Sequence, residues 1–508
     1  MARLNVRGRV QGGFWRALEA VGVKDARARW EGQSPFLQRA VPPLVIAALV
    51  LGLAWLAGVP PHPTLLALLA IVYALHLLPR RIRRIALPLT VLGIALAYPI
   101  LWANELEGTN TLFEIPVFKA FPNMDTMVAI AIFSMMAIGL NMVVGYAGLL
   151  DLGYVAFYAI GAYTAAWLAS PHFAQNGIDF ELGAVGVPEG VGGLHISIWI
   201  VLVAAAITTA IAGVLIGLPT LRLRGDYLAI VTLAFGEIIY LGALNGDADG
   251  ISALIDTKTD FNLTNGAFGI NPVDPPGFGH WLSEHLGLPA DFIVENGSYV
   301  NFVSLVYWSA IGLLLITIFC SIRLRDSRLG RAWIAIREDE VAAAAMGIPL
   351  MRTKTWAYAS GAFFGGMAGA WYGSFKQGVF PDDFLFNFSI FILCMVILGG
   401  MGNVWGAIAG AALLTYLDKE GLSNVAGWFN DRDFVLFQCD PIAQDPSRPI
   451  SAGCLNAPLL ATGIYGSILV LAMLFRPQGL IPEQRRKLEF EQGVHDEPLM
   501  DVRGGPEE

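Results

Sequence analysis

Charged residues are scarce in this sequence. Only 14% of its 508 residues are Asp, Glu, Lys or Arg, whereas 55% are hydrophobic, and the mean hydropathy is +0.58. A soluble globular protein carries about 25% charged residues, so this chain has too little polar surface for a protein surrounded by water. The sequence therefore predicts a protein embedded in a lipid bilayer.

Recognisable catalytic motifs are also missing. The sequence contains no G-x-x-x-x-G-K-[ST] phosphate loop, no H-E-x-x-H zinc motif and no G-x-S-x-G nucleophile elbow. We therefore expect no catalytic residue, and the net charge of −9 disfavours nucleic acid as a partner. The cysteines form no C-x-x-C pair, so no metal site is expected. Cys439 and Cys454 lie in one polar segment, where they form either a disulfide or two free thiols. The four cysteines are Cys320, Cys394, Cys439 and Cys454.

Long apolar runs recur along the chain, and a helix that crosses a bilayer needs about 20 mostly apolar residues. The run 388–417 is too long for one crossing and is interrupted by glycines, so it predicts two short helices or a re-entrant pair. The predicted fold class is all-α: a polytopic helical membrane protein with about 11–12 membrane segments. The candidate spans are 41–57, 64–79, 85–102, 127–144, 152–169, 197–217, 227–244, 300–319, 355–375, 388–417 and 458–475.

Lys and Arg residues predict the orientation of these spans, because inner loops of membrane proteins are enriched in them. With both termini placed in the cytoplasm, most basic residues fall on the inner side, including those of loop 322–354, and outer loop 245–299 is acidic. That outer loop is either a solvated connection or a docking surface for a soluble protein. The N-terminal stretch 1–39 is basic and lacks the pattern of a signal peptide, so we expect a cytoplasmic extension.

The inner loop 322–354 predicts two short helices. Asp326 or Ser327 can cap the first, and the acidic residues 338–340 suit the start of the second. Alanines at 342–345 give the second helix a small face. A small-faced helix that projects between membrane spans has a shape that fits a groove in another protein.

Glycine recurs every four residues along the 355–375 span. Such a stripe exposes backbone on one helix face and allows close approach of another helix. The neighbour is a helix of this chain, a partner permease or a moving helix of the translocation path. The candidate packing residues are Gly361, Gly365, Gly369 and Gly373.

Two apolar segments, near 145–153 and 399–402, are interrupted by glycine. Interrupted membrane helices in transporters free backbone groups that can line a path for a polar solute. Ionisable residues at membrane depth are functional candidates as well. Asp151 has the alternative role of capping a helix that begins near Leu152. Glu237 has the alternatives of pairing with another subunit or being protonated. The candidate path residues are Asn141, Gly148, Asp151, Glu237, Gly400 and Gly402.

Several stretches between residues 125 and 480 resemble the LivM family, the permeases of branched-chain amino acid ABC importers. They are GLNMVVGYAGLLDLGYVAFYAIGAYTAAWL (139–168), LRLRGDYLAIVTLAFGEIIY (221–240), ILGGMGNVWGAIAGAALL (397–414) and FRPQGL (475–480). Loop 322–354 also resembles the EAA coupling motif of ABC importer permeases, although Val341 stands where that motif has Glu and Glu340 lies one residue earlier. The resemblance implies that coupling to an ATPase involves Glu338, Asp339, Glu340, Ala342, Ala343 and Gly347.

The resemblance implies an ABC importer permease fold and a function. The chain would be a subunit that moves leucine, isoleucine, valine or similar hydrophobic amino acids across the bacterial inner membrane and is not itself an enzyme. It would lie in the bilayer with a second homologous permease subunit, two cytoplasmic ATPase subunits and a periplasmic substrate-binding protein. ATP and Mg would be bound by the ATPase subunits, and this chain would hold no cofactor.

The same resemblance divides the chain. We expect a basic extension (1–39), additional N-terminal membrane helices (40–105), a permease core (106–480) with outer loops 245–299 and 418–457, and a cytoplasmic tail (481–508). Three other functions stay open: an ABC permease for urea or short amides, an ion-coupled secondary amino acid transporter, and a membrane-embedded enzyme. The secondary transporter would call for paired intramembrane carboxylates, and the enzyme lacks a catalytic constellation.

Overall fold

The computed structural model describes residues 70–102, 121–184, 191–221, 226–247, 262–277 and 299–422, with short gaps in 70–79 and a few isolated positions between 424 and 481. The chain forms two compact units, Met1–Phe121 and Pro122–Glu508. The expected span 41–57 lies outside the described residues, as do most of 64–79 and of 458–475. The segment with Cys439 and Cys454, the N-terminal extension and the C-terminal tail lie outside them as well.

In the first unit, helix α1 spans Arg80–Leu101. It begins after Pro79 and carries four arginines in its first five residues, followed by the apolar stretch Pro88–Leu101. Large apolar side chains of this stretch are exposed, among them Leu89 and Ile100. This composition, with basic residues at one end and an exposed apolar body, suits a helix that meets lipid.

The second unit is built from ten helices within the described residues. They are α2 (Met124–Leu140), α3 (Val155–Leu168), α4 (Ile198–Thr220), α5 (Asp226–Leu244), α6 (Tyr299–Asp326), α7 (Arg328–Glu338), α8 (Glu340–Ala345), α9 (Leu350–Lys376), α10 (Phe386–Gly399) and α11 (Val404–Tyr416). A π-helix, Asn141–Tyr146, continues α2, and a second one, Leu417–Gly421, continues α11. Each expected span from 127 to 417 corresponds to one or two of these helices.

Four of the described helices are long and apolar enough to cross a membrane: Met124–Tyr146, Ile198–Thr220, Tyr227–Leu244 and Val303–Asp326. Helices α3 and α10 are apolar but have only 14 residues each. At 1.5 Å per residue, each is about 21 Å long, which is shorter than the roughly 30 Å hydrocarbon core. The predicted all-α polytopic membrane fold is confirmed.

Helices α2 and α9 form the centre of the second unit. α9 packs against α2, α3 and α4, while α2 also contacts α6, α10 and α11. A helix that is apolar on all sides is expected to be buried, and most of the Met124–Tyr146 span is. The outer helices keep an exposed apolar stripe at helical spacing, as α4 does from Ile200 to Leu218.

The glycine stripe of α9 lies against α2 and α3 of this same chain. A methyl group at Gly361 would meet the Gly139 carbonyl oxygen of α2, and one at Gly369 would meet the Tyr158 carbonyl oxygen of α3. At Gly365 the neighbour is the Tyr154 hydroxyl. The fourth member of the stripe, Gly373, faces the Val379 side chain. The missing side chains therefore bring helix backbones together inside the subunit.

The 388–417 run forms two short helices joined by a tight turn, which agrees with both predicted forms, two short helices or a re-entrant pair. α10 and α11 are antiparallel, since a methyl group at Gly406 would meet the carbonyl oxygen of Gly399, and one at Gly410 would meet the main chain of Met395 and Gly399. The turn between them contains Gly400 at φ 120° and Gly402 at φ 87°. Because a side chain is strained at such positive φ values, glycine is required at this turn.

A small sheet at one end of the bundle was not among the predicted elements. Its strands β1 (Ala169–Ser170), β2 (Phe180–Leu182) and β3 (Leu194–Ile196) lie in the order β1-β3-β2, with β1 antiparallel and β2 parallel to β3. His195 Nδ1 lies 2.9 Å from Asp274 Oδ2. Burial raises the pKa of the Asp274 carboxyl, and the bond from His195 opposes that shift. This contact attaches the 262–277 loop to the sheet.

Replacing Gly369 with alanine tests the packing of α9. Gly369→Ala is expected to lower the melting temperature of the protein in detergent, because the added methyl group would meet the main chain of Tyr158 and Ala162. Overpacking of this kind costs about 1–3 kcal/mol. Gly312→Ala on α6 makes the same chemical change where nothing lies within 4 Å, and it should not lower the melting temperature. Equal melting temperatures for both variants would contradict the close contact of α9 with α3.

Candidate functional site

Helices α7 and α8 lie between the long helices α6 and α9. Ser327, one of the two predicted caps, accepts a hydrogen bond from the Gly330 nitrogen at 3.2 Å and begins α7. Trp333 has no exposed surface, and its Nε1 donates to the Thr353 carbonyl oxygen at 2.8 Å. The tryptophan therefore attaches α7 to the first turn of α9.

Helix α8 begins at Glu340, two residues after the start of the acidic run 338–340. Asp339 is its N-cap and accepts bonds from the nitrogens of Val341 at 2.8 Å and Ala342 at 3.0 Å. Glu338 is the last residue of α7 and does not open α8. The reason is that Asp339 is extended, with φ −154°, and so separates the two helices. Gly347, at φ 82°, lies just beyond the end of α8.

One face of α8 is attached to the chain and the other is exposed. Ala343 is buried, and Glu340 forms a 2.9 Å ion pair with Lys354, whose side chain is only 5% exposed. On the other face, Val341 is 71% exposed and Met346 is 84% exposed; Ala342 and Gly347 are exposed as well. The exposed side is thus apolar and small, and the ion pair fixes the helix to α9.

Arg337 connects α7 to the first glycine-broken segment. Its Nη1 donates to the carbonyl oxygen of Gly145, in the π-helix that follows α2. Gly148 lies directly over the same side chain: a methyl group there would be 2.8 Å from Arg337 Cγ. A carbonyl oxygen released by an irregular helix end needs a partner inside a membrane protein, and the guanidinium supplies it.

Asn141 connects the first broken segment to the second. Its side chain has no exposed surface, and its Oδ1 accepts a hydrogen bond from the Gly402 nitrogen at 2.8 Å. The FRPQGL end joins the same turn, because the Leu480 nitrogen donates to the Leu398 oxygen at 2.8 Å and Ile481 donates to Gly399 at 3.0 Å. The structure therefore brings together Asn141, Gly148, Gly400 and Gly402 of the predicted path residues.

Asp151 lies in the irregular segment between the π-helix and α3. It is 2% exposed, and its Oδ1 accepts a hydrogen bond from the Gly153 nitrogen at 2.9 Å. Helix α3 begins at Val155 rather than near Leu152, and the Val155 nitrogen donates to Ser389 Oγ at 3.1 Å instead. Asp151 therefore does not cap α3.

Glu237 has no bond to the other path candidates within the described residues. It lies in α5 with intermediate exposure, and no described residue forms a hydrogen bond or an ion pair with it. Its chain neighbour Gly236 lies against Gly153. Whether it lines a path or contacts another subunit stays a prediction.

Several residues of this region carry no sequence signal of their own. Arg337 and Lys354 are two basic residues among many in the inner loop, and Tyr154, Thr232 and Tyr358 are ordinary polar residues within apolar stretches of the sequence. Tyr154 donates from its hydroxyl to the Gly361 carbonyl oxygen at 2.9 Å. Each partner is more than a dozen residues away in the chain, which is why spacing alone did not find these contacts.

The long apolar helices and their packing define a multi-pass α-helical membrane protein. A family model described as the permease component of branched-chain amino acid transport systems matches residues 123–473, more than half of the chain. The chain belongs to this family of permeases, as the motifs predicted. Residues 1–122 lie outside the matched range.

Similar proteins agree with this assignment. The chain is 32% identical over 391 residues to the high-affinity branched-chain amino acid transport system permease protein LivM of Salmonella typhimurium, covering 74% of each chain. It is 34% identical to LivM of Escherichia coli, covering 72% of this chain and 71% of that one. It is also 26% identical to the permease protein LivH of Escherichia coli, over 60% of this chain and 86% of the relative. No solved structure matches significantly.

Replacing Asn141 with alanine tests the contact between the two glycine-broken segments. Asn141→Ala leaves the buried Gly402 nitrogen without its acceptor, which costs about 1–3 kcal/mol, so the melting temperature in detergent should fall. Asn245→Ala is the matched control, since its amide bonds the Leu241 oxygen at an exposed position. If both variants melt at the wild-type temperature, the Asn141–Gly402 bond contributes no stability.

Proposed function

We propose that this chain is a transmembrane permease subunit of an ABC importer that moves leucine, isoleucine and valine across the bacterial inner membrane. ATP hydrolysis on two separate cytoplasmic subunits, which would bind ATP and Mg, drives the movement. A periplasmic binding protein delivers the amino acid, and a second homologous permease completes the path. The match to LivH-named relatives as well as LivM-named ones supports a partner of related sequence.

The observation that carries the proposal is the bonded connection from α8 to the glycine-broken segments. α8 has an exposed apolar face suited to a partner's groove. Arg337 of the preceding helix α7 bonds the Gly145 oxygen, and Asn141 of the same π-helix bonds the Gly402 nitrogen. A movement imposed on α8 by an ATPase would therefore reach both broken segments through contacts that already exist.

The orientation follows from the same proposal. The end of the bundle with α7 and α8 faces the cytoplasm, where the ATPase subunits are, and the small sheet with the 262–277 loop faces the periplasm. Both termini are cytoplasmic, in agreement with the distribution of Lys and Arg along the chain.

Uptake by purified components tests the function as a whole. Proteoliposomes that contain both permeases and both ATPases, supplied with ATP and the binding protein, should accumulate radioactive leucine, isoleucine and valine. Accumulation of urea or short amides in place of these amino acids would identify the alternative substrate class. Leucine uptake by this chain alone, driven by an ion gradient, would contradict the ABC importer.

Replacing Val341 with glutamine tests whether α8 contacts an ATPase. Val341→Gln puts a polar amide on the exposed apolar face without touching the interior of this chain, so co-purification of the ATPase subunits and leucine uptake should both fall. Val191→Gln makes the same change at an exposed position next to the small sheet and should alter neither. Wild-type co-purification and uptake in Val341→Gln would show that α8 is not the contact.

Replacing Arg337 with glutamine tests transmission rather than assembly. Arg337→Gln loses the charge-assisted bond to the Gly145 oxygen, worth about 1.5–3 kcal/mol, while the exposed face of α8 is unchanged. The complex should still assemble and hydrolyse ATP, but leucine transported per ATP should fall. Arg331→Gln on the same helix loses only an exposed bond to the Asp326 oxygen and should keep the wild-type ratio. An unchanged ratio in Arg337→Gln would exclude it as the link.

A further inference from the structure

A closed crevice lies between α3, α4, α5 and α9, beside the first glycine-broken segment. Its polar lining comes from Asp151, Thr232 and Tyr358, and its large apolar lining comes from Phe157, Ile216 and Phe235. No Lys, Arg or His side chain is among the described residues that line it. Within this part of the chain, the crevice thus combines one carboxylate with aromatic and aliphatic walls and has no compensating positive charge.

Two buried polar atoms that border this crevice have no hydrogen-bond partner in the part of the chain that the structure describes: Asp151 Oδ2 and the Tyr358 hydroxyl. Other described side chains also have a buried polar atom without a partner, but Asp151 is the only one among them with a carboxylate. The crevice has no space for a water molecule, so water does not satisfy these atoms in this conformation. Buried polar atoms without a partner in a native protein call for an explanation.

A purely structural aspartate would have donors at both oxygens. Asp151 accepts a hydrogen bond from the Gly153 nitrogen at 2.9 Å on Oδ1, and the Thr232 hydroxyl also interacts with the carboxylate. The nearby Thr232 hydroxyl is bonded to the Ala229 oxygen at 3.0 Å and accepts from the Leu152 nitrogen at 3.1 Å. A carboxylate buried away from water requires a cation, a proton or further hydrogen bonds, and one oxygen of this carboxylate is left for such a partner.

The lining matches one chemical class of cation. An aliphatic amino acid offers an ammonium group for Asp151 Oδ2, a carboxylate that the Tyr358 hydroxyl can donate to, and a hydrocarbon side chain for Phe157, Ile216 and Phe235. A metal ion would need several oxygen ligands, whereas most of this lining is apolar. Binding sites for small molecules generally have apolar walls and a few precisely placed polar groups, and the lining of this crevice has the same composition.

We propose that this crevice is a transient binding site for the translocated amino acid, in which Asp151 holds its ammonium group. This inference rests on the proposed import of branched-chain amino acids and adds the residues that would contact the solute. The site is closed in this structure, so the amino acid enters only when the helices around it separate. Gly153 permits the closed form, because a methyl group there would clash with the Thr232 carbonyl oxygen of α5.

The test uses the assembled importer of both permeases and both ATPases in lipid nanodiscs, without the binding protein. L-leucine and isoamylamine, which has the ammonium group but no carboxylate, should both raise the melting temperature of the wild-type complex. Isocaproate, which has the carboxylate but no ammonium group, should not. If neither leucine nor isoamylamine changes the melting temperature, or if isocaproate acts like leucine, the site is wrong.

Two variants assign the effect to this crevice. Asp151→Asn, which keeps the shape of a protonated aspartate, should abolish the response to both ammonium compounds and lower the kcat of leucine uptake at least about tenfold. Tyr358→Phe should keep the response to isoamylamine and weaken that to leucine; it is also informative if Asp151→Asn fails to fold. Asp382→Asn, at an exposed carboxylate, should leave all responses unchanged. Wild-type ligand responses and kcat in Asp151→Asn would show that Asp151 is only a protonated structural residue.

Different results would contradict the proposed function and the proposed binding site. If the complete wild-type importer, supplied with binding protein and ATP, transports no branched-chain amino acid, the proposed function is wrong. If the wild-type importer transports leucine and Asp151→Asn transports it with the same kcat, the function stands and the crevice is not a binding site.

Discussion

The bond from the Gly402 nitrogen to Asn141 Oδ1 satisfies a buried backbone group of the turn between α10 and α11, inside a membrane protein. Such groups are costly when no partner replaces the helical one, because lipid offers none. The same constraint explains the Arg337 bond to the Gly145 oxygen and the bonds of Leu480 and Ile481 to the end of α10. The irregular segments near 145 and 400 exist only because side chains and the FRPQGL end complete their backbone bonds.

These bonds also determine which helices would move together. α7 and α8 are fixed to α9 through Trp333 and the Lys354–Glu340 ion pair, and to the π-helix after α2 through Arg337. α2 and α9 are the two central helices, and glycine brings them into backbone contact at Gly361 and Gly139. A displacement of α8 would therefore act on both central helices, whereas the outer helices α4, α5 and α6 keep exposed apolar faces.

Local patterns predicted much of this fold. Apolar length predicted the spans, glycine predicted the break of 388–417 into two helices, and Ser327 and Gly347 marked helix ends. Contacts between distant residues were not predictable, because periodicity carries no information about which side chain meets a freed carbonyl. That limit covers Arg337 with Gly145, the small sheet, and the crevice between Asp151 and Tyr358. Glu338 was placed in the wrong helix because an acidic run shows where a helix can begin, not which carboxylate caps it.

The charged residues at the ends of the bundle differ from the one beside the crevice. Charges near the ends of the bundle are paired locally, as Lys354 is with Glu340 and His195 with Asp274. Asp151 differs, because it is buried beside a largely apolar crevice, and one of its oxygens has no hydrogen-bond partner among the described residues. A permanent counter-charge would satisfy that oxygen and remove any affinity for a passing ammonium group. A carboxylate without such a partner, in a crevice that closes when empty, binds only while the helices are apart, and weak transient binding is what a conducting path requires.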